Sequence, residues 1–249
     1  MNVQIQILVD NDMPQPFASE HGLSLAITCG KEKILFDTGA GSALMKNLQQ
    51  HQIDPAVFTK IILSHGHFDH TGGLGEILPL TPDAELYYAP GITTKRFSRH
   101  PERPVKELSM PESSCKALEL HEKKFEISRF TQIAEGIFLT GPIPRLSGED
   151  CGGPFFLDQD GTDPDHIQDE MALVFSSGDL IQGCCHAGII NTVNYCKQCI
   201  PEIKIKTITG GLHLLHASPA RQEQTAAFLR QLDLQNLTAL HCTGAGLSL

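Results

Sequence analysis

Three histidines and one aspartate stand within six consecutive residues of this sequence: His65, His67, Asp69 and His70. They directly follow the apolar run at residues 61–63, which is typical of a short buried strand. In an extended chain, residues two apart project to the same side, so His65 and His67 can face one point while Asp69 and His70 turn towards a second. Imidazole and carboxylate groups suit zinc, iron or manganese, and a stretch without thiolates argues against a purely structural zinc site. The spacing therefore predicts a metal centre.

The segments that must position these residues alternate between strand and helix patterns. In the first half, an alternating strand leads to a hairpin at Gly30, an amphipathic helix with Ser42 as its expected N-cap, and the strand before His65. In the second half, a hairpin turning at residues 177–179 leads to a helix, a strand, a helix and a last strand. The repeated order ββαβαβ predicts a mixed α/β fold in which two sheet-and-helix halves face each other within one domain, residues 1–249.

The segment between the halves, about residues 90 to 170, is rich in proline and loses the regular patterns. Only two strand patterns remain in it, at residues 123–130 and 136–141. A long irregular insert in a compact domain is usually functional. We expect this one to be ordered and to form a pocket wall or lid.

Composition excludes several classes of protein. The formal charge of −10 over 249 residues disfavours nucleic acid as a partner, because phosphate binding needs clustered Lys and Arg. The N-terminal residues do not resemble a signal peptide, and no apolar run approaches the roughly 20 residues that span a bilayer, so we expect a cytoplasmic protein without a membrane partner. Among the eight cysteines, Cys196 and Cys199 form a CxxC without a second pair, and we interpret them as thiols on one helix face.

The motif H-x-H-x-D-H after a buried strand resembles that of the metallo-β-lactamase superfamily, whose fold is a four-layer αββα sandwich binding one or two metals. The motif "FDTG" precedes it, and "TGPIPR", "HAGIIN", "TGGLHLL" and "LHCTG" follow it, in the order expected for the superfamily. Together they resemble one branch, the metal-dependent hydrolases similar to 7,8-dihydropterin-6-methyl-4-(β-D-ribofuranosyl)aminobenzene-5′-phosphate synthase. The resemblance covers nearly the whole chain.

This resemblance implies a role for each matching residue. His65 and His67 match ligands of the first metal, whereas Asp69 and His70, with His241 in "LHCTG", match ligands of the second. Asp37 in "FDTG" would not bind metal but would orient the histidine loop.

The third ligand of the first metal stands before the hairpin in many members of the superfamily, and this sequence departs from that pattern. We interpret His186 in "HAGIIN" as that ligand. The alternatives precede the hairpin: His166, Asp165 and Asp169. Asp179 lies in the hairpin turn, where aspartate is common, too early to be a bridging ligand. Cys184 occupies the position of the bridging aspartate and is expected to be an ordinary small buried residue.

Asp69 and His213 are the candidate catalytic residues. His213 ends a strand that should point to the same edge, where it could be a ligand, a general acid or a substrate contact. Arg145 in "TGPIPR" is placed to bind an anionic group such as phosphate.

The resulting hypothesis is a metal-dependent hydrolase or transferase that uses a metal-activated water on a small phosphorylated or pterin-like metabolite. Its cofactor would be one or two divalent transition metals, zinc in the first place and iron or manganese otherwise. Two alternatives remain: a phosphodiesterase or lactonase of the same superfamily, and a metal-binding sensor or scaffold without turnover. The expected partner is a small-molecule substrate, and the oligomeric state stays open.

Overall fold

A computed structural model describes residues 1–149 and 153–244, so Cys151 lies outside the described part. The strands found there are β1 (Val3–Val9), β2 (Ser24–Cys29), β3 (Glu32–Phe36), β4 (Lys60–Ile62), β5 (Glu85–Tyr88), β6 (Phe97–Ser98), β7 (Lys106–Glu107), β8 (Lys124–Glu126), β9 (Thr131–Ala134), β10 (Ile137–Leu139), β11 (Phe155–Phe156), β12 (Leu173–Phe175), β13 (Asp179–Gln182), β14 (Thr207–Gly210) and β15 (Asn236–Ala239). The α-helices are α1 (Leu44–Gln50), α2 (Phe68–Thr71), α3 (Leu74–Ile77), α4 (Glu112–Leu120), α5 (Ile189–Cys199) and α6 (Pro219–Arg230).

Two six-stranded sheets dominate the described residues, with the orders β1-β2-β3-β4-β5-β8 and β15-β14-β13-β12-β10-β9. In the first sheet, β3, β4, β5 and β8 run parallel. In the second sheet, β13, β14 and β15 run parallel. Parallel neighbours end at the same edge of a sheet, so the loops after β3 and β4 lie together, as do those after β13, β14 and β15.

Side-chain alternation along the strands builds three layers of core. Phe36 and Ile62 pack with Phe175 and Ile181 in a cluster between the two sheets. The next residues along the same strands, such as Ile61, pack outward against α1, α3 and α4. On the far side, Val174, Leu180 and Ile208 pack against α5 and α6. Residues one apart in a strand face opposite sides of their sheet, so each sheet packs against the other sheet on one side and against helices on the other. The predicted αββα sandwich and the α/β class are therefore confirmed.

The start of α1 corrects one prediction. Ser42 does not cap this helix: the N-cap is Ala43, which makes no side-chain capping bond. Instead the carboxylate of Glu20, from a distant loop, accepts the backbone N–H groups of residues 40 to 43 and the Ser42 hydroxyl. A carboxylate neutralises the positive end of a helix better than a hydroxyl does. The contact could not be predicted from the sequence, because Glu20 is distant from α1 along the chain.

The insert has more regular structure than its sequence pattern indicated. It contains α4 and a small sheet in which β6 pairs with both β7 and β11. The helix α2 begins at Phe68, directly after His67, so Asp69 and His70 lie within its single turn. Cys196 and Cys199 both lie on α5, as predicted. Within the described residues, no helix is long and apolar enough to cross a membrane.

Candidate metal centre

The ends of β4, β13, β14 and β15 surround a cavity of about 300 Å³. Its lining includes most of the residues that the sequence singled out: His67, Asp69, Cys184, His186, His213 and His241. Several of the surrounding turns have a positive φ at a residue that is not glycine: Asp37 (59°), Cys185 (62°), His213 (49°) and His241 (49°). Such backbone costs about 1–3 kcal/mol per residue and persists only where the surrounding structure enforces it.

His65, His67 and His186 form one donor group, whose ligand atoms lie within 4.8 Å of one another. The ring centroids are 4.6 Å apart for His65 and His67, 4.9 Å for His65 and His186, and 5.1 Å for His67 and His186. All three side chains are buried. The structure thus brings the two loop histidines to His186, which follows β13.

The nitrogens of this group fit a metal ion. Within the described residues, Nε2 of His65, Nε2 of His67 and both ring nitrogens of His186 have no hydrogen-bond partner. Burial lowers the pKa of His67 to about 3 and also lowers the pKa of His65 and of His186. The rings are therefore neutral at physiological pH, as metal ligation requires. A buried unpaired polar atom costs about 1–3 kcal/mol, and a cation shared by the three rings would remove that cost.

A second donor group surrounds Asp69. Its Oδ2 atom lies 3.1 Å from His21 Nε2, 3.3 Å from His241 Nε2 and 3.9 Å from His70 Nε2. Burial raises the pKa of Asp69, but hydrogen bonds from His21 and His241 outweigh it and hold that pKa well below its usual range. Asp69 is therefore an anion surrounded by imidazoles. The sequence did not point to His21, whose exposed side chain comes from the loop before β2.

Asp37 connects both sides of the histidine loop. Its Oδ1 accepts the Ser64 N–H at 2.7 Å, while its Oδ2 lies 2.7 Å from the Ser64 hydroxyl and 2.6 Å from His70 Nδ1. Burial would lower the pKa of His70, but the Asp37 carboxylate raises it to about 9. Because Nδ1 is engaged, the Nε2 atom of His70 points away from Asp37, and it lies 3.1 Å from Cys184 Sγ. Cys184 is buried as predicted, but it lies among donor atoms rather than in an ordinary apolar environment.

Two adjacent carboxylates hold the loops that carry the histidines. Asp169 Oδ2 accepts the Gly66 N–H at 2.8 Å, between His65 and His67. Glu170 accepts the backbone N–H groups of His186 and Ala187, each at 2.5 Å. A Cβ atom on Gly66 would lie 2.1 Å from the Ile92 carbonyl oxygen, so this close approach requires glycine.

The interpretation of Arg145, and the alternatives to His186, do not agree with this geometry. Arg145 does not line the cavity: its guanidinium donates to the backbone carbonyls of His186 and Ile167, so it supports the ligand loop instead of facing substrate. The alternative ligands before the hairpin also lie elsewhere. His166 is exposed, while Asp165 and Asp169 form ion pairs with Arg96 at 2.9 Å and 2.5 Å. Among the described residues, the lysine and arginine side chains that line the cavity are Lys106 and Arg221.

Comparison with known proteins agrees with the fold and with the sequence motifs. The family model described as "Metallo-beta-lactamase superfamily" matches residues 20–238. The chain is 29% identical over 260 residues to the 7,8-dihydropterin-6-methyl-4-(beta-D-ribofuranosyl)-aminobenzene-5'-phosphate synthase of Methanocaldococcus jannaschii, covering 98% of this chain and 88% of that protein.

Two solved structures are similar to this one. The crystal structure of Tm1679, a metal-dependent hydrolase of the beta-lactamase superfamily, has a TM-score of 0.81 and 27% identity, covering 98% of this chain and 90% of that one. A diphosphatase from the PhnP family has a TM-score of 0.54 and 10% identity, covering 96% of this chain and 87% of that one. At that identity the second likeness concerns the fold alone.

Proposed function

The chain belongs to the metallo-beta-lactamase superfamily, and we propose that it is a metal-dependent hydrolase or transferase acting on a small phosphorylated or pterin-like metabolite. The observation that carries this proposal is the convergence of three buried, neutral histidine rings with unpartnered nitrogens beside an anionic Asp69. The name of the Methanocaldococcus jannaschii relative, with its pterin and phosphate groups, supports the substrate class.

We assign His65, His67 and His186 to the first metal and Asp69, His70 and His241 to the second. Members of the superfamily commonly use zinc, and this mixed His/Asp donor set also suits iron or manganese. When bound, divalent metals would supply Lewis-acid activation of a water molecule and of the substrate oxygen.

The chain's own residues would orient the reactants and move protons. The Asp69 carboxylate stays ionised, so it accepts a hydrogen bond and orients the attacking water. His213 lies with its ring centroid 4.4 Å from that of His186, and its Nδ1 has no hydrogen-bond partner within the described residues. His213 also lines the cavity, so we assign it proton donation to the leaving group.

The far side of the cavity would bind the rest of the substrate. Residues of the insert, including Lys106 and Phe155, line this side, and we propose that the insert serves as the pocket wall or lid. Arg221 lies in the first turn of α6, is 6% exposed, and has an Nε atom without a partner within the described residues. We therefore propose Lys106 and Arg221, in place of Arg145, as the groups that attract a substrate anion.

Metal content tests the first step of the proposal. Protein purified without chelators is expected to carry one to two equivalents of a transition metal by elemental analysis, because His65, His67 and His186 offer three ligands to one ion and Asp69 lies with His21 and His241 in a second donor group. Content below about 0.1 equivalent after reconstitution with zinc, iron or manganese would refute it.

Turnover separates an enzyme from a metal-binding sensor. We expect the metal-loaded protein to hydrolyse chromogenic phosphate esters, to lose that activity on chelation and to regain it on metal addition. Full metal content with no turnover of phosphate monoesters, phosphodiesters or lactones would favour the sensor or scaffold.

Asp37→Asn is expected to weaken metal binding or turnover by about 10–100-fold while leaving the fold intact, the usual cost of losing a partner that orients a ligand. The asparagine keeps the size of the side chain, but its amide cannot accept from both Ser64 and His70 as a carboxylate does. Metal titration and circular dichroism measure the two effects. Asp83→Asn, at an exposed residue paired with Lys123, is the matched control and should change neither. Unchanged metal affinity and turnover in Asp37→Asn would remove Asp37 from the site.

A further inference from the structure

Beside the two histidine-rich groups, the cavity holds a third donor group, of which the proposed function uses only His213. It consists of Cys184, Cys242 and His213, which we call the thiol cluster. We propose that the thiol cluster is a separate binding site for a thiophilic divalent cation, with Zn²⁺ or Cd²⁺ as the fitting ions. Its two Sγ atoms and one ring nitrogen lie within 4.8 Å of one another.

The three side chains come from neighbouring strand ends whose loops are tied together by the backbone. Cys184 follows β13, His213 follows β14, and Cys242 follows β15. The Gly211 N–H donates to the Gly183 carbonyl at 2.7 Å, and the Leu214 N–H donates to the Cys242 carbonyl at 3.1 Å. The donor atoms are thus presented from fixed loops, which limits the ordering cost of binding an ion.

The thiols have weak partners in the described structure. The Cys242 Sγ donates to the Cys184 carbonyl oxygen at 3.5 Å, and Cys184 Sγ contacts His70 Nε2 at 3.1 Å. Both cysteines are buried, at 3% and 8% exposure. Zn–S bonds of about 2.3 Å and Zn–N bonds of about 2.0–2.1 Å place donor atoms roughly 3.5–4 Å apart, so donor atoms that lie within 4.8 Å of one another need to approach by about 1.3 Å at most.

The site can be filled without rearranging the fold. All three residues line the cavity, which gives an ion an entry path and leaves a coordination position open. Two thiolates neutralise the charge of one dication, so an ion here would repel cations in the adjacent histidine groups less than a third all-histidine site would. Binding requires both thiols to lose their protons, and metal uptake would therefore release protons.

Cadmium titration of the reduced full-length protein tests the proposal, because sulfur-to-cadmium charge transfer absorbs in the near ultraviolet whether or not the enzyme is active. We expect a saturable band in the wild type. Cys242→Ser should lose about half of its amplitude and weaken cadmium affinity by tenfold or more. His213→Gln, at a cavity-facing position outside the packed core, should keep the band and weaken affinity similarly. Circular dichroism establishes that each variant is folded.

Two control variants separate this site from the rest of the molecule. Cys196→Ser, at a buried thiol on α5, should leave the band unchanged. His67→Ala should also keep the band, even if the histidine-rich groups proved to hold no metal at all. A band that survives both Cys242→Ser and His213→Gln at wild-type affinity, or one that disappears in His67→Ala, would overturn the proposal. The first outcome would mean that Cys184 binds cadmium beside His70 without Cys242 or His213, and the second that the ion lies among the histidine ligands.

Discussion

His186→Ala is expected to lose the metal bound by His65 and His67 and to reduce turnover by more than about 100-fold, beyond the range typical of residues that only orient a ligand. The ring centroid of His186 lies 4.9 Å from that of His65 and 5.1 Å from that of His67, and within the described residues this donor group contains no fourth side chain. Two imidazoles alone leave a divalent ion two or more ligands short of its usual coordination. Metal titration with elemental analysis measures the loss.

His166→Ala is the matched control for this variant. Its side chain is exposed and lies outside the cavity, although its backbone carbonyl accepts from the Arg145 guanidinium, as the His186 carbonyl does. Because alanine keeps that carbonyl, the control should retain both metal and turnover. A metal-poor His166→Ala with a metal-replete His186→Ala would contradict our assignment and move the third ligand to the segment before the hairpin.

The site residues that the sequence predicted are those that directly follow a strand. His65 and His67 follow β4, where the period of two along an extended chain predicted that they face one point. His241 follows β15, and its expected role came from the resemblance of "LHCTG" to a superfamily motif. The same reasoning favoured His186 over His166, because a ligand after a buried strand repeats the arrangement of the first loop. The layering followed from the repeated ββαβαβ order.

The parts that the sequence missed depend on contacts between distant loops. His21 reaches Asp69 from a loop with no strand pattern, and Glu20 caps α1 from the same loop. Arginine is a residue type that often binds anions, but the guanidinium of Arg145 donates to the backbone carbonyls of His186 and Ile167. Cys242 directly follows His241 in the sequence, but one cysteine next to a metal ligand does not predict a second metal site. That prediction needs the structure, which places Cys184 beside Cys242.

Within the insert, local patterns failed for a different reason. β6, β7 and β11 are two residues each, too short for a period to be visible. The first of them, β6, directly follows Arg96, which is 2% exposed. A buried arginine indicates a carboxylate partner, but the sequence does not say which.

Arg96→Met is expected to lower the free energy of unfolding by about 3–5 kcal/mol, because it leaves the buried carboxylates of Asp165 and Asp169 without their cation. The effect should extend to the metal centre, since Asp169 also accepts the Gly66 N–H between His65 and His67, and the guanidinium donates to the same Oδ2 atom at 3.0 Å. Urea denaturation measures stability, and metal titration should show affinity weakened by about 10–100-fold.

Two further variants distinguish a bridging role from simple loss of charge. Arg99→Met removes an exposed arginine three residues further on and should stay within about 0.5 kcal/mol of the wild type. Arg96→Lys restores the charge, but a single ammonium cannot span two carboxylates as the planar guanidinium does, so it should recover stability only in part. If Arg96→Met unfolded at the wild-type urea midpoint with unchanged metal affinity, the ion pairs would not be what holds the histidine loop. If Arg96→Lys recovered everything, charge alone would suffice, and the shape of the guanidinium would have no role in positioning His65 and His67.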